Sequence, residues 1–256
     1  MSLSNKKILI TRVRKQSKPL IEMLENLGCE VLNVPTIKIT DPDDPNTFQN
    51  VLRNISAYNW IIFTSANAVR YFFKFKNKND EDLKQSKIAC IGKKTAEILN
   101  SFSYKPHLIP EIFSNRELIN ELQKYNIRGK HILLPVSNMA GDELQVGLKS
   151  LGAHVKKIKI YKNLPFQDSQ WEETYKKIND GVIDCITFYS PSALSAFVTL
   201  VGDNGIEMIN EKKITIAVIG SSTAQAAREN NLHPEVIPPV SDDEHFVEAL
   251  KEYFEL

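Results

Sequence analysis

Short apolar runs with no polar alternation recur along the chain. They read KILIT (from Lys7), WIIFT (from Trp60), KIACI (from Lys87), HILLP (from His131), CITFY (from Cys185) and TIAVI (from Thr215). Such runs suit strands of a parallel sheet covered on both faces. Elsewhere the apolar positions return every three or four residues, as in SKPLIEMLENLG (17–28), PNTFQNVLRNI (45–55), SNRELINELQKY (114–125), GDELQVGLKSLG (141–152) and DEHFVEALKEYF (243–254). That period predicts amphipathic helices. In the first of them Pro19 is expected in the opening turn and Gly28 at the end. Strands alternating with helices predict right-handed βαβ units in doubly wound sheets.

The pattern is written twice. IACIGKKTAEIL (88–99) resembles TIAVIGSSTAQAA (215–227), and WIIFTSANAV (60–69) resembles CITFYSPSAL (185–194). KPHLIPEIFSNRELINEL (105–122) resembles HPEVIPPVSDDEHFVEAL (233–250). A further pair runs KKILITR…LGCEV (6–31) against KHILLPV…LGAHV (130–155). The offset stays near 125 residues throughout, as expected of an internal repeat. The copies are interleaved, because the KHIL block closes its copy whereas the KKIL block opens the other. The expected architecture is α/β: two five-stranded, flavodoxin-like, doubly wound parallel-sheet domains joined by a two-stranded linker, with a cleft between them. Domain one would be residues 1–36 plus 165–256, domain two 42–160, and the linkers 37–41 and 160–165. Pro35, Pro42, Pro45 and Pro165 flank these crossings, as boundaries often show.

Composition narrows the function. The chain has 256 residues, 42% of them hydrophobic and 25% charged, with a formal net charge of +1. No broad basic field points to nucleic acid. Cys29, Cys90 and Cys185 fall in or beside expected strands without a CxxC spacing, so reduced, buried thiols are expected rather than disulfides or a nucleophile. His107, His131, His154, His233 and His245 are scattered, and no metal site is expected. The opening MSLSNKKILITR has too short an apolar part for a signal peptide, and no run approaches a membrane span. A cytoplasmic protein is expected.

Ligands of open α/β sheets bind beyond the carboxyl ends of the strands. In domain one the residues expected there are Thr11, Arg12 and Arg14, then Ser190, Pro191 and Ser192, then Gly220, Ser221, Ser222 and Thr223. In domain two they are Thr64, Ser65, Ala66 and Asn67, then Gly92, Lys93, Lys94 and Thr95, then Ser137 and Asn138. These are small, hydroxylic or basic, and none is Asp or Glu. Helix N-termini in such loops present free N–H groups and favour anions. Taken singly, each Ser or Thr is more simply an N-cap; together in a cleft they suit an anionic ligand. GxxxxGK[ST], GxGxxG and GxSxG are absent. A reaction here would rest on positioning and hydrogen bonding. Tyr161, in HVKKIKIYKNLP (154–165), stands where the chain crosses back. Its phenol is equally readable as a cleft donor or as an aromatic packing residue.

With these motifs in order (ILITR, IIFTSANAV, ACIGKKTAEIL, VKKIKIYKNLP, ITFYSPSALSAF, AVIGSSTAQAA) the chain resembles the uroporphyrinogen-III synthase family over nearly its full length. The resemblance implies two α/β domains on a two-stranded linker and no cofactor or metal. It implies closure of the linear octacarboxylate hydroxymethylbilane to uroporphyrinogen III, with loss of water and inversion of the last pyrrole ring. By motif, Tyr161 matches the family's tyrosine thought to assist departure of the hydroxyl. Thr223 matches an inner-cleft threonine, Arg12 a strand-end arginine, and Thr64, Ser65, Ala66, Ser190, Pro191 and Ser192 the substrate loops. Gly92, Gly220 and Ser222 belong to the paired Ile-Gly loops. LLPVSNMAGDEL (133–144) lacks the arginines of many relatives, so Lys93 and Lys94 are expected to supply charge instead. The expected partners are the small-molecule substrate and a transient handover from hydroxymethylbilane synthase, with no nucleic acid, no membrane, and a monomeric chain. The competing readings are a non-catalytic two-domain module binding a small anion and a glycosyltransferase with two Rossmann-like halves.

Overall fold

The computed structural model describes residues 3–76 and 83–255. Residues 1–2 and 256, at the ends of the first expected domain, and 77–82, within the second, lie outside the described residues. In chain order the elements are β1 (Lys7–Ile10), α1 (Arg14–Asn26), β2 (Glu30–Asn33), β3 (Ile37–Thr40), α2 (Pro45–Arg53), β4 (Trp60–Phe63), α3 (Ala66–Phe75), β5 (Lys87–Cys90), α4 (Lys93–Ser101), α5 (Asn115–Gln123), β6 (His131–Ser137), α6 (Glu143–Ser150), β7 (His154–Pro165), α7 (Trp171–Asn179), β8 (Cys185–Phe188), α8 (Pro191–Glu211), β9 (Thr215–Val218), α9 (Ser221–Glu229), β10 (Pro234–Val236) and α10 (Asp243–Glu255). They gather into two compact units, Met1–Lys38 with Leu164–Leu256, and Ile39–Asn163.

The first unit holds a five-stranded sheet in the order β10-β9-β8-β1-β2, with parallel pairing throughout. Alternate residues of each strand feed opposite faces. Leu9, Ile186, Phe188, Ile216 and Val218 enter one core. Ile8, Ile10, Cys185 and Ala217 enter the other. Burial on both faces explains why the strands read as unbroken apolar runs. In the second unit the order is β3-β7-β6-β4-β5. There Ile61 and Phe63 enter one core, and Trp60 and Ile62 the other.

The repeat is visible in the strand order. Matched strands β2-β1-β8-β9 correspond to β7-β6-β4-β5, so both sheets share the flavodoxin-like order. The fifth position differs. Where the first unit has β10, the second has a single parallel bridge between Ala89 and Leu108. Its fifth strand is β3, placed beyond β7 and within the segment expected as linker. The second crossing is likewise strand, since β7 runs unbroken from His154 to Pro165.

One expected boundary moves. α1 begins at Arg14, so Pro19 lies inside the helix rather than in its opening turn. Within that earlier start the Ser17 hydroxyl donates back to the carbonyls of Arg12 at 3.2 Å and Val13 at 3.3 Å, instead of capping. α8 is also interrupted, at Gly202, whose φ of 67° and ψ of −179° are not helical.

The matched helices α1 and α6 end in the same turn. Gly28 (φ 84°) and Gly152 (φ 85°) are left-handed. The next amide donates back into the helix in each, Cys29 to Leu24 at 3.1 Å and Ala153 to Leu148 at 3.2 Å, a glycine C-terminal motif. An added Cβ would stand 3.2 Å from Ser4 Oγ at Gly28 and 3.1 Å from Arg128 Cγ at Gly152. Gly28→Ala and Gly152→Ala are each expected to lower unfolding free energy by about 1–2 kcal/mol, with similar shifts in a urea titration. A neutral result at either position would show that its turn does not need the left-handed conformation.

Candidate active site

The topological switch point of each sheet lies where the strand order reverses, and ligands of such sheets sit there. In the second unit it falls between β6 and β4. The β4–β6 ladder ends at Ile61–Leu133, shortly before Pro135, which has no N–H to donate. Ser65 follows β4 and caps α3, its hydroxyl accepting from the Ala68 amide at 3.1 Å. Thr64 precedes that cap and Ala66 opens the helix.

Tyr161 reaches this point because of a bulge. Val136 pairs with Lys159, but Ser137 pairs with Tyr161, so Ile160 is an extra residue in β7. Burial along β7 alternates up to Ile160 and then changes phase, leaving Ile160, Tyr161 and Asn163 buried. The Tyr161 ring, 4% exposed, stacks on Tyr71 with centroids 5.2 Å apart. Its hydroxyl lies 3.0 Å from Ser65 Oγ, and either oxygen can be the donor. Burial raises the phenol above its ordinary 10.0, against the opposing hydrogen bonds of Ser65 and Ser137. The residue is therefore a neutral phenol at physiological pH, able to give a proton and unsuited to act as a base.

Asn138 holds the strand past the bulge. Its backbone N–H donates to the Tyr161 carbonyl at 3.1 Å. Its carboxamide accepts from the Asn163 N–H at 2.8 Å and donates to the Asn163 carbonyl at 3.2 Å. A side chain thus replaces the ladder where the bulge breaks it.

Gly92 caps α4, and its carbonyl accepts from Thr95 and Ala96. Lys93 and Lys94 are exposed in the first turn, where the helix dipole disfavours a cation. Lys94 reaches Glu97 at 3.0 Å.

In the first unit the switch point falls between β1 and β8. Ser190 caps α8, accepting from the Ala193 amide at 3.2 Å and lying 3.1 Å from Ser192 Oγ, while Pro191 opens the helix. Gly220 caps α9, with Ser222 exposed and Thr223 only 1% exposed, so Thr223 packs rather than faces solvent. Arg12 lies over the Tyr189 ring, 4.6 Å from its centroid, with its Nη1 atom 3.7 Å from Asp243. The strand ends expected to be free of acids therefore include a carboxylate. It comes from the start of α10, reached through a loop after β10 that strand-end residues alone did not cover. Tyr189 was also missed, although it replaces the Thr64 of the other copy.

Cys29, Cys90 and Cys185 are buried and unpaired, and burial pushes Cys90 up to about 12. No group of three or more His, Cys, Asp or Glu among the described residues could hold a metal ion. No helix among them is long and apolar enough to cross a membrane.

Two doubly wound sheets with capped, hydroxyl-rich strand ends define a two-unit α/β protein. Residues 18–248 match the family described as uroporphyrinogen-III synthase HemD, and the chain belongs to that family. It is 26% identical over 251 residues to the uroporphyrinogen-III synthase of Chlorobaculum parvum, covering 96% of this chain and 98% of that one. It is 29% identical over 229 residues to the porphyrin biosynthesis protein HemD of Ruminiclostridium josui, which covers 88% of this chain but only 44% of that protein. The fold is that of a crystallised mutant uroporphyrinogen III synthase from Thermus thermophilus, with a TM-score of 0.74 at 17% identity, covering 98% of this chain and 99% of that one.

The bulge account gives a test. Asn138→Ala leaves two Asn163 backbone groups without partners, and is expected to cost about 2 kcal/mol, read by urea unfolding. Unchanged stability would mean that Asn138 does not hold β7.

Proposed function

We propose that the chain cyclises hydroxymethylbilane to uroporphyrinogen III, with loss of water and inversion of the last pyrrole ring. Family membership supports the reaction, and one observation carries the assignment of its chemistry: a buried, neutral phenol, Tyr161, hydrogen-bonded to Ser65 at a strand end. In this reading the terminal C–O bond of the bilane breaks and its oxygen leaves as water after taking a proton. The pyrrole end left behind is cationic. Ring closure later releases a proton from the attacked pyrrole carbon, so charge balances. Negative charge builds on the departing oxygen, and a hydrogen bond from Tyr161 strengthens as it does. Such a donor lowers the barrier more than it improves binding. Ser65 sets the phenol's direction.

The substrate's carboxylates would be met by helix N-termini and hydroxyls: Thr64, Ser65 and Ala66, then Gly92 with Lys93 and Lys94, in the second unit, and Ser190, Pro191 and Ser192, then Gly220, Ser222 and the Thr223 backbone, in the first. Arg12 supplies a guanidinium. The same reading includes a monomer in the cytoplasm, receiving its unstable substrate directly from hydroxymethylbilane synthase and using no cofactor. A binding module has no comparable use for a proton donor.

Tyr161→Phe removes one oxygen and keeps the stacked ring. Turnover of hydroxymethylbilane is expected to fall by on the order of 10²–10³, with KM and melting temperature near wild type. Normal turnover in Tyr161→Phe would make the residue a packing aromatic. The pH dependence follows from the raised phenol. The fold favours the neutral form, so that contribution is complete below the ordinary value and is lost only as pH rises through the higher folded one. Stopped-time assays should show no alkaline limb from this group below about pH 10; a limb near neutrality that vanishes in Tyr161→Phe would contradict its role as a donor.

A further inference from the structure

The repeat supplies an internal control for the Arg12 cluster. The positions matching Arg12, Tyr189 and Asp243 in the second copy are Val136, Thr64 and Asn115. The second unit builds the matching strand order without any of the three.

The geometry is that of a carboxylate site with a stand-in. Tyr189 ends the β8 run, and its ring lies between the Arg12 guanidinium at 4.6 Å and the edge of Phe246 at 5.1 Å. The Tyr189 hydroxyl is fully buried and has no hydrogen-bond partner among the described residues. Burial, followed by the nearby Asp243 carboxylate, pushes this phenol well above its ordinary value. So Tyr189 keeps its proton, with the Asp243 carboxylate beside it as an acceptor that stops short of a formed hydrogen bond. An orphaned buried hydroxyl is costly, and such groups call for a specific reason. Arg12 and Asp243 are each 24% exposed and sit 3.7 Å apart, longer than a charge-assisted hydrogen bond of about 2.7–2.9 Å. Asp243 is close enough to occupy the guanidinium and too loosely placed to satisfy either group.

We propose that Arg12 and Tyr189 form a subsite for one carboxylate of the ligand, and that Asp243 competes for it in the free chain. This rests on the reading of the chain as a cyclase of a linear octacarboxylate. An entering carboxylate takes the Arg12 fork and accepts the Tyr189 proton, and Asp243 turns to solvent at the start of α10, where a negative charge is favoured by the helix dipole. Asp243 thus sets how tightly this strand end holds acidic side chains. A competitor lowers affinity without touching the reacting bond, so its signature is in binding rather than turnover.

The test uses the full chain and uroporphyrin III, the stable oxidised octacarboxylate, titrated by fluorescence. Asp243→Asn keeps the size and removes the charge; it is expected to bind the probe about tenfold more tightly than wild type, and to lower KM for hydroxymethylbilane with kcat unchanged. Tyr189→Phe is expected to bind about tenfold more weakly, the usual effect of losing a hydrogen bond to a charged group. Should Asp243→Asn melt early, Asp243→Ser retains a hydroxyl suited to a helix start and serves in its place. Equal or weaker probe binding by folded Asp243 variants would overturn the competition, and wild-type affinity in Tyr189→Phe would overturn the phenol's part. A wild-type chain that neither binds the probe nor consumes hydroxymethylbilane would remove the cyclase reading itself, and this inference with it.

Discussion

Burial of both faces of each sheet is the constraint from which the rest follows. Strands such as β4, β8 and β9 are buried at every residue, which leaves no room on them for polar chemistry. Polar side chains are displaced to the carboxyl ends, where helices begin and free N–H groups point outward. The same solution is used in both units, in the same strand order. The copies differ in their fifth strand, in a bulge of β7 and in the residues at those ends.

Two departures from the shared plan stand at these strand ends. In the second unit an extra residue in β7 rephases the strand and turns Tyr161 inward beside the Ser65 cap. Bulges are common next to active sites for this reason. In the first unit Arg12, Tyr189 and Asp243 make a charged cluster that the other copy lacks. One strand end holds the Tyr161 phenol against Ser65, and the other a guanidinium over the Tyr189 ring.

The periodic signals were legible because they are set by local physics. Apolar runs without alternation announced parallel strands, the constant offset announced two related sheets, and Ser65 and Ser190 announced helix starts that the structure caps through their hydroxyls. What stayed hidden depends on partners distant in sequence. β3 is a strand only because β7 lies beside it. Pro19 sits inside α1, whose start carries no side-chain cap for the sequence to announce. The Ile160 bulge cannot be read from HVKKIKIYKNLP without knowing the register against β6. Asp243 lies far along the chain from Arg12, and no period or motif links them. Tyr189 could have been found, since comparing the two copies sets it against Thr64.

Directing the closure of a linear tetrapyrrole and merely binding an anion differ in one measurable outcome, the isomer of the product. Hydroxymethylbilane closes unaided to the type I macrocycle, so a binding protein leaves that outcome unchanged. Incubated with freshly made hydroxymethylbilane and followed by chromatography of the oxidised products, the chain is predicted to give the type III isomer in large excess. Type I product at the uncatalysed rate would contradict the account.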